Sequence, residues 1–254
     1  MGFLDLARPE HAYFFGFLQC DGHLSENTRN RGRLSVELSI RDVALLERFQ
    51  ELVPYPTSIT TRTRSTNFMK RHTSAIWTLC ALEARRELIE LGLPVGKKSR
   101  IVQPPAVPFS TNDYLRGLVD ADGSVGVTSL GLPFVSFTTA SEDLRDFFLS
   151  QCRDLPGQPC HVTRNTRDGV FNPMATRECA VDLVGRIYYQ NCLELERKAT
   201  AARRAMNWTR EPLGQLSLPF GRARRGPRHA RELIESQIRQ RVIALRVAPT
   251  SPCS

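Results

Sequence analysis

Two segments of the chain repeat one pattern of aromatic, glycine and aspartate positions. The first reads Tyr13-Phe14-Phe15-Gly16-Phe17-Leu18-Gln19-Cys20-Asp21-Gly22. The second reads Tyr114-Leu115-Arg116-Gly117-Leu118-Val119-Asp120-Ala121-Asp122-Gly123. The tyrosine, both glycines and the final aspartate coincide. Such a repeat indicates a duplicated structural unit, so we expect the 254 residues to form two similar halves.

The residues that follow each repeat predict the same order of elements in both halves. Alternation of apolar and polar residues predicts strands, and helices open at Asp42 and Ser141. Strands are predicted at 34–39, 58–64 and 73–80, then at 134–138, 161–167 and 176–181. Each half is predicted to end in helix, near 82–91 and near 184–206. Along the first of these strands, alternation points four side chains inward: Leu34, Val36, Leu38 and Ile40.

A proline-rich linker is predicted at 104–110, between a first repeat at 1–103 and a second at 111–210. Its prolines restrict their own backbone angles and those of the preceding residues. Ser110 and Thr111 then predict a helix cap, with Asp113 at capping-box spacing from Ser110. Residues 211–254 predict a basic tail with an amphipathic helix.

The composition favours a polyanionic partner and a reducing compartment. A net charge of +9 suits DNA, RNA or an acidic membrane surface. The 35 basic residues include only four lysines, an arginine excess typical of GC-rich genomes, which favours a bacterial over an organellar origin. The scattered histidines and seven cysteines predict neither a metal site nor a disulfide framework. With no long apolar run and no leader, we expect a cytoplasmic protein.

The repeated segment has physical features that indicate a paired-helix metal site. Glycine inside a helix costs about 1 kcal/mol relative to alanine, so Gly16 and Gly117 need a compensating contact. Small residues four positions further on, Cys20 and Ala121, would let two helices approach closely. Asp21 and Asp122 would then end these helices, where the dipole is negative and a carboxylate needs a cation. Carboxylate oxygens are ligands for Mg²⁺ or Mn²⁺.

The segment from Leu115 to Gly123 resembles the motif of the LAGLIDADG homing endonucleases. The first copy, Phe14 to Gly22, is degenerate, with Gln19 and Cys20 where the pattern has Asp-Ala, but it keeps the final Asp-Gly. The resemblance covers roughly residues 9–208. It implies an α+β fold of two pseudo-symmetric αββαββα halves, packed through the motif helices, with antiparallel sheets that form a DNA-binding saddle.

The resemblance also implies a monomeric, site-specific double-strand DNA endonuclease that acts in intron homing. Divalent metal, Mg²⁺ or Mn²⁺, would be held by Asp21 and Asp122, with backbone atoms of Gly22 and Gly123 as further candidates, and cutting would give staggered ends. A lysine near the end of each repeat would neighbour the metal-bound water. Lys98 follows Asp21 by 77 residues and Lys198 follows Asp122 by 76, although Lys97 competes with Lys98.

Polar side chains on the strand faces are candidates for reading DNA, because arginine, asparagine and hydroxyl groups match base edges in the major groove. The candidates are His23, Ser25, Arg33, Ser35, Glu37, Ser58, Thr60, Arg62, Arg64, Arg71, Ser124, Thr128, Ser136, Thr138, Thr163, Asn165, Arg167 and Arg177. The two sets differ, so a long, asymmetric target is expected.

One other function stays open at this point. A degenerate first repeat also fits a non-cutting nucleic-acid-binding protein on the same scaffold, either an intron maturase or a DNA-binding regulator. An intein is not expected, because the chain begins Met1-Gly2 and ends Pro252-Cys253-Ser254.

Overall fold

The computed structural model describes residues 2–26, 31–65, 71–157 and 160–210, and the predicted tail helix lies outside these ranges. The first half contains α1 (Pro9–Asp21), β1 (His23–Glu26), β2 (Gly32–Ser39), α2 (Val43–Leu52), β3 (Thr57–Arg64), β4 (His72–Leu79) and α3 (Leu82–Glu90). The second half contains α4 (Thr111–Asp122), β5 (Gly123–Val127), β6 (Pro133–Phe137), α5 (Glu142–Cys152), β7 (His161–Asn165), β8 (Val170–Thr176), α6 (Arg177–Ile187) and α7 (Glu196–Met206).

Each half builds one four-stranded antiparallel sheet, and the two sheets have the same strand order. The first is ordered β1-β2-β4-β3 and the second β5-β6-β8-β7. Equal topology in the two halves confirms the predicted α+β class and the duplication. Both halves belong to one compact unit that ends at Arg210.

One face of each sheet packs on helices and forms the core. In the first half Leu34, Val36 and Leu38 are buried together with Trp77 of β4, as alternation predicts. The inward prediction for Ile40 is wrong, since Ile40 is 40% exposed. The reason is that β2 ends at Ser39 and a single 3₁₀ turn follows, so the period of two no longer applies.

The two motif helices, α1 and α4, lie at the centre of the fold. Every residue of α1 from His11 to Gln19 is buried, and so is every residue of α4 from Asp113 to Asp120. A helix that is buried all round needs neighbours on every side. In this fold each motif helix packs on the other and on its own half, which fills those positions.

Two predictions for the end of the second repeat are wrong. Residues 177–181 begin α6 and are not a strand, because Cys179, Ala180 and Leu183 are buried at helical spacing. The long final helix is two helices, α6 and α7, because α6 ends at Ile187 and Asn191 adopts a left-handed conformation with φ 63°.

Of the predicted helix caps, one forms as expected. The Ser141 hydroxyl accepts a hydrogen bond from the Leu144 amide at 3.1 Å and caps α5. Ser110 occupies the cap position of α4, but its hydroxyl donates to the Asp113 carboxylate at 2.5 Å, so the predicted capping box is not formed. Asp42 precedes α2 and pairs with Arg197 at 3.2 Å without capping the helix.

No helix in the described part of the chain combines the length and apolar content needed to cross a bilayer.

Candidate active site and nucleic-acid interface

The contact between α1 and α4 is the helix seam, and two glycines make it close. A Cβ atom on Gly117 would lie 2.2 Å from the backbone oxygen of Tyr13, and one on Gly16 would lie 2.5 Å from that of Tyr114. Real Cβ atoms do not approach backbone oxygens so closely. Glycine at both positions therefore lets the two helix backbones touch, which offsets its cost inside a helix.

Two tyrosines cross the helix seam in opposite directions. The Tyr13 hydroxyl donates to Asp120 at 2.8 Å, and the Tyr114 hydroxyl donates to Gln19. Asp120 also accepts from the Tyr188 hydroxyl at 2.6 Å, and it is 1% exposed. Tyr13 and Tyr114 are equivalent positions of the repeat, and so are Gln19 and Asp120. The seam thus contains two matching hydrogen bonds.

The glutamine in the degenerate first motif fits its surroundings. The Gln19 amide donates to the carbonyl of Gly92 at 3.1 Å and to that of Gln103 at 2.9 Å. Asp120, at the equivalent position, meets only donors, namely two tyrosine hydroxyls and the Leu195 amide at 2.8 Å. An amide satisfies two carbonyls and a carboxylate does not. The change from Asp to Gln therefore follows local hydrogen bonding.

We expect Gln19→Glu to lower the free energy of unfolding by about 1–3 kcal/mol, because two buried carbonyls lose their donors and face a carboxylate. Denaturant unfolding monitored by circular dichroism measures this change. Gln190→Glu is the charge-matched control, since Gln190 is exposed on a turn and should change little. Equal stability of the two variants would show that the Gln19 amide contributes nothing.

Asp21 and Asp122 end the two motif helices, and their carboxylates lie close enough to interact. Both side chains are exposed to solvent, yet surrounding protein atoms partly desolvate them. Desolvation, followed by the charge of Asp122, raises the pKa of Asp21 to about 6. Desolvation also raises the pKa of Asp122. Two like charges at the negative ends of two helices are unfavourable, and a bound cation would relieve both effects.

Because the pKa of Asp21 is raised, we expect Asp21→Asn to increase the free energy of unfolding by an amount that depends on pH. The comparison is made with a chelator present, so that no metal ion is bound. The pKa is about 6 in the folded protein and near 3.9 in an unfolded chain, so ionisation costs stability as pH rises between these values. Above pH about 6 the variant should unfold with a free energy about 1 kcal/mol higher, after allowance for solvent screening.

This gain should disappear below pH about 4, where the carboxyl is neutral in both states. Thermal melts across this pH range provide the measurement. Asp154→Asn, at an exposed loop position, is the control and should show no such trend. A gain that is constant with pH would contradict the link to ionisation.

Lys98 and Lys198 occupy equivalent places in the two repeats, each against the end of a motif helix. The Lys98 ammonium donates to the carbonyl of Leu18 at 2.5 Å and to that of Gly22. Lys198 donates to the carbonyl of Val119 at 2.8 Å and to that of Gly123 at 2.8 Å. These acceptors are matching positions of the repeat, whereas Lys97 is exposed. The carbonyls considered as metal ligands, those of Gly22 and Gly123, therefore bond to lysines.

The two lysines differ in how many acceptors they meet. Lys198 is 6% exposed and has further acceptors at the carbonyls of Asp120, at 2.6 Å, and Ala121, at 3.4 Å. An ammonium group has three protons, so Lys198 has none to spare, whereas Lys98 keeps one. Burial lowers the pKa of Lys98 to about 8 and also lowers the pKa of Lys198.

Cys20 lies close to both Asp21 and Asp122. Desolvation, followed by the nearby charge of Asp122, raises the pKa of its thiol well above the usual range. Cys20 and Lys98 line two cavities, one of about 650 Å³ beside Asp21 and one of about 200 Å³ beside Asp122. Ser99 lines both cavities as well, and the sequence pattern did not indicate it.

Most of the DNA-binding candidates of the first repeat share the sheet face away from the core. Strand register aligns His23 with Ser35, Ser35 with Thr78, and Thr78 with Ser58. The candidates on this face are His23, Ser25, Arg33, Ser35, Glu37, Ser58, Thr60, Arg62 and Arg64, and β4 adds His72, Ile76 and Thr78, which the sequence did not indicate. Ser74 has the same register but is 1% exposed, and its hydroxyl donates to Glu37. The Glu37 carboxylate pairs with Arg64 at 3.1 Å.

The second sheet places a smaller set of candidates on its corresponding face. Register aligns Ser124 with Ser136, and Thr163 with Asn172. The candidates here are Ser124, Ser136, Thr138, Thr163 and Asn165, and β8 adds Asn172 and Met174, which the sequence reading missed. Ser136 is only 8% exposed, so its hydroxyl contributes little to a surface.

Thr138 directly follows β6, and four further candidates also lie outside the strands. Arg71 is exposed just before β4, and the Thr128 hydroxyl accepts from the Leu132 amide in the turn after β5. The strand prediction that put Arg167 on the face of Asn165 is wrong, because β7 ends at Asn165 and Arg167 lies in the turn, where it pairs with Asp168 at 3.1 Å. Arg177 starts α6 with a left-handed backbone, φ 55°.

One buried ion pair in the second motif was not expected from the sequence. Arg116 is fully buried and bonds the Asp113 carboxylate at 2.5 Å. Its guanidinium also donates to the carbonyls of Ile187 at 2.7 Å and Leu193 at 2.8 Å. Because each of the three guanidinium nitrogens donates to an acceptor, the pair holds α4 against the segment between α6 and α7.

Comparison with known proteins agrees with this geometry. A family model for the LAGLIDADG-like domain matches residues 111–150. The homing endonuclease I-WcaI bound to its DNA recognition sequence is similar in structure, at 13% identity and TM-score 0.52, over 76% of this chain and 87% of that one. I-SmaMI bound to an uncleaved DNA target with calcium ions gives 13% identity and TM-score 0.45, over 71% and 84%.

A third similar structure is the N-terminal LAGLIDADG domain of DUF199/WhiA, at 14% identity and TM-score 0.48, over 76% of this chain and 89% of that one. Curated protein sequences give no match. Together with the duplicated topology, the similarity to I-WcaI defines a two-repeat α+β fold centred on two packed helices. The chain has the LAGLIDADG fold, as its motif indicated, and its second repeat contains the LAGLIDADG-like domain.

Proposed function

We propose that this protein is a site-specific endonuclease that cuts both strands of DNA with divalent metal at a centre shared by its two repeats. The observation that carries the proposal is the meeting of Asp21 and Asp122 at the ends of two glycine-packed helices. In each repeat a lysine donates to the carbonyl of the glycine that follows the aspartate. A purely structural helix pair would not need two mutually repelling carboxylates at its solvent-exposed end.

The donor set suits a hard cation such as Mg²⁺ or Mn²⁺. Asp21 and Asp122 offer carboxylate oxygens, and desolvation raises the pKa of both, so a bound cation would stabilise their charged forms. We restrict the proposed protein ligands to these two carboxylates, because the Gly22 and Gly123 carbonyls bond to lysines. A bound metal ion would supply an activated water and stabilise the leaving oxygen of a phosphodiester.

Lys98 is the better candidate of the two lysines for moving a proton. Its pKa of about 8 lies near neutral pH, and one of its protons is not bonded to a carbonyl. It lines the cavities beside both aspartates. Lys198 holds the end of α4 through its four carbonyl contacts and keeps Asp122 in place. Arginine could not release a proton at either position.

The outward sheet faces would read DNA as an asymmetric site. The face of the first sheet carries Arg33, Arg62 and Arg64, which suit guanine edges and phosphates. The face of the second sheet carries hydroxyl and amide groups, among them Thr163 and Asn172, which suit adenine and mixed contacts. The excess of basic residues fits a DNA substrate, and we propose that the protein acts on it as a monomer in a bacterial cytoplasm.

A randomised duplex library tests this proposal. The protein is incubated with the library and Mg²⁺, and the cut ends are sequenced. We expect staggered ends at one long, asymmetric site, with no cutting in chelator. Cut ends at random positions, formed without added metal, would refute a site-specific, metal-dependent centre.

Tight, sequence-selective binding without cutting in Mg²⁺ or Mn²⁺ would instead support the non-cutting alternative, a maturase or a regulator. Binding is measured separately by recovering bound duplexes in Ca²⁺, so the two outcomes can be told apart.

A further inference from the structure

Three cysteines that are distant in sequence converge in the second repeat. Cys152 ends α5, Cys160 directly precedes β7, and Cys179 lies in the first turns of α6. Their sulfur atoms all lie within 4.8 Å of one another. Cys152 and Cys179 are buried, and Cys160 is half-buried. The sequence does not predict this cluster, because the spacing of the three residues matches no usual metal-binding pattern.

The backbone around the cluster is held in unusual conformations. Gly157, in the loop between α5 and β7, has φ +97°, and a Cβ atom there would lie 3.4 Å from the Cys179 amide nitrogen. Gly157 therefore lies against the start of α6, the helix that carries Cys179. Arg177, two residues before Cys179, is left-handed at φ 55°, a costly conformation for a residue with a side chain.

We propose that Cys152, Cys160 and Cys179 bind one Zn²⁺ ion through their three sulfur atoms, with a fourth position open to water or an added ligand. Zinc sites with three protein ligands keep such an open position. Zn–S bonds of about 2.3 Å in tetrahedral geometry put sulfurs about 3.8 Å apart, so shifts of about 1 Å from the present arrangement suffice. A cavity of about 350 Å³, lined in part by Cys152 and Cys160, gives access and room for the fourth ligand.

The chemistry separates this site from the two-aspartate centre. Thiolates are soft ligands that select Zn²⁺ and similar ions, whereas Mg²⁺ prefers oxygen. On binding, three S–H bonds are replaced by Zn–S bonds and the thiol protons pass to solvent, so affinity rises with pH. The inference does not depend on the proposed nuclease activity.

The bound ion would hold a part of the sheet that has few other contacts. Within the part of the chain that the structure describes, β7 is an edge strand that pairs with β8 alone, and its residues are all exposed. Tying Cys160 to α5 and α6 would fix the start of β7. The strand carries Thr163 and Asn165, two of the DNA-binding candidates. Zinc would therefore stabilise one edge of the second sheet face.

Metal analysis of the full chain tests the inference. The protein is prepared without a histidine tag, in reductant and without chelator, and we expect one zinc per chain. Removing zinc should lower the melting temperature by about 5 °C or more, and Zn²⁺ but not Mg²⁺ should restore it. Cys160→Ser should lose the zinc, and Cys80→Ser, at an exposed position outside the cluster, should keep it.

A second measurement uses the unaltered protein, in case a cysteine variant fails to fold. Alkylation of the metal-free chain, followed by peptide mass mapping, gives a rate for each thiol. We expect Zn²⁺ to slow alkylation at least tenfold at Cys152, Cys160 and Cys179 and to leave Cys80 unchanged. A chain that binds no zinc, protection at none of the three, or a disulfide between two of them in reductant would each overturn the proposal.

Discussion

Asp122→Asn should reduce DNA cutting by about a thousandfold or more, and Asp21→Asn should do the same. Each substitution keeps the size of the side chain and removes one of the two charges that would hold the metal. Metal stabilisation of a phosphodiester transition state is worth several kcal/mol, and about 4 kcal/mol corresponds to a thousandfold in rate. The affinity of each variant for the same DNA, measured without Ca²⁺, should change little, because the substitutions do not alter the sheet faces.

The form of the DNA product distinguishes a shared centre from two separate ones. With a supercoiled plasmid that carries the selected site, nicked and linear products are measured together. A shared pair of carboxylates predicts that each single variant loses both nicking and linearisation, whereas two independent centres predict a nicking enzyme. Asp154→Asn, in an exposed loop, is the control and should cut normally. Full cutting by both active-site variants would remove these aspartates from the mechanism.

Much of the fold could be predicted because the repeat limits the possibilities so strongly. Two copies of one motif imply two equivalent halves, and alternation along β2 and β3 then separates a core face from an open face. The open face contains Arg62 and Arg64 as predicted. Matched spacing also indicated Lys98 and Lys198 as candidate site residues, because lysine is rare in this chain. These features depend on local periodicity and duplication, which a sequence displays directly.

The features that escaped prediction depend on contacts between residues distant in the chain. The departure of Gln19 from the motif is explained by the carbonyls of Gly92 and Gln103, which are distant from it in the chain. The three clustered cysteines come from α5, α6 and a loop, and no periodic pattern connects them. The strand predicted at 176–181 failed because apolar residues over a short stretch fit a strand or a helix equally well.

Gly117→Ala should lower the free energy of unfolding by about 3 kcal/mol or more, a decrease of about 6–12 °C in melting temperature. The new Cβ would lie 2.2 Å from the Tyr13 oxygen and 2.9 Å from the Phe17 nitrogen, and both are backbone atoms of α1 that cannot move aside. Overpacking commonly costs about 1–3 kcal/mol, and a Cβ this close to two backbone atoms belongs among the cases that cost more, so the clash exceeds the gain of about 1 kcal/mol in helix propensity. Thermal and urea unfolding provide the measurement.

Gly185→Ala is the matched control, because Gly185 is also inside a helix and a Cβ there meets nothing within 4 Å. This variant should gain about 1 kcal/mol in stability through helix propensity. Any folded Gly117→Ala protein must hold α1 and α4 further apart, and the carboxylates of Asp21 and Asp122 would separate with them. Cutting should then fall more than DNA binding does. Similar stability and activity in the two alanine variants would show that close packing of the helix seam does not position the two carboxylates.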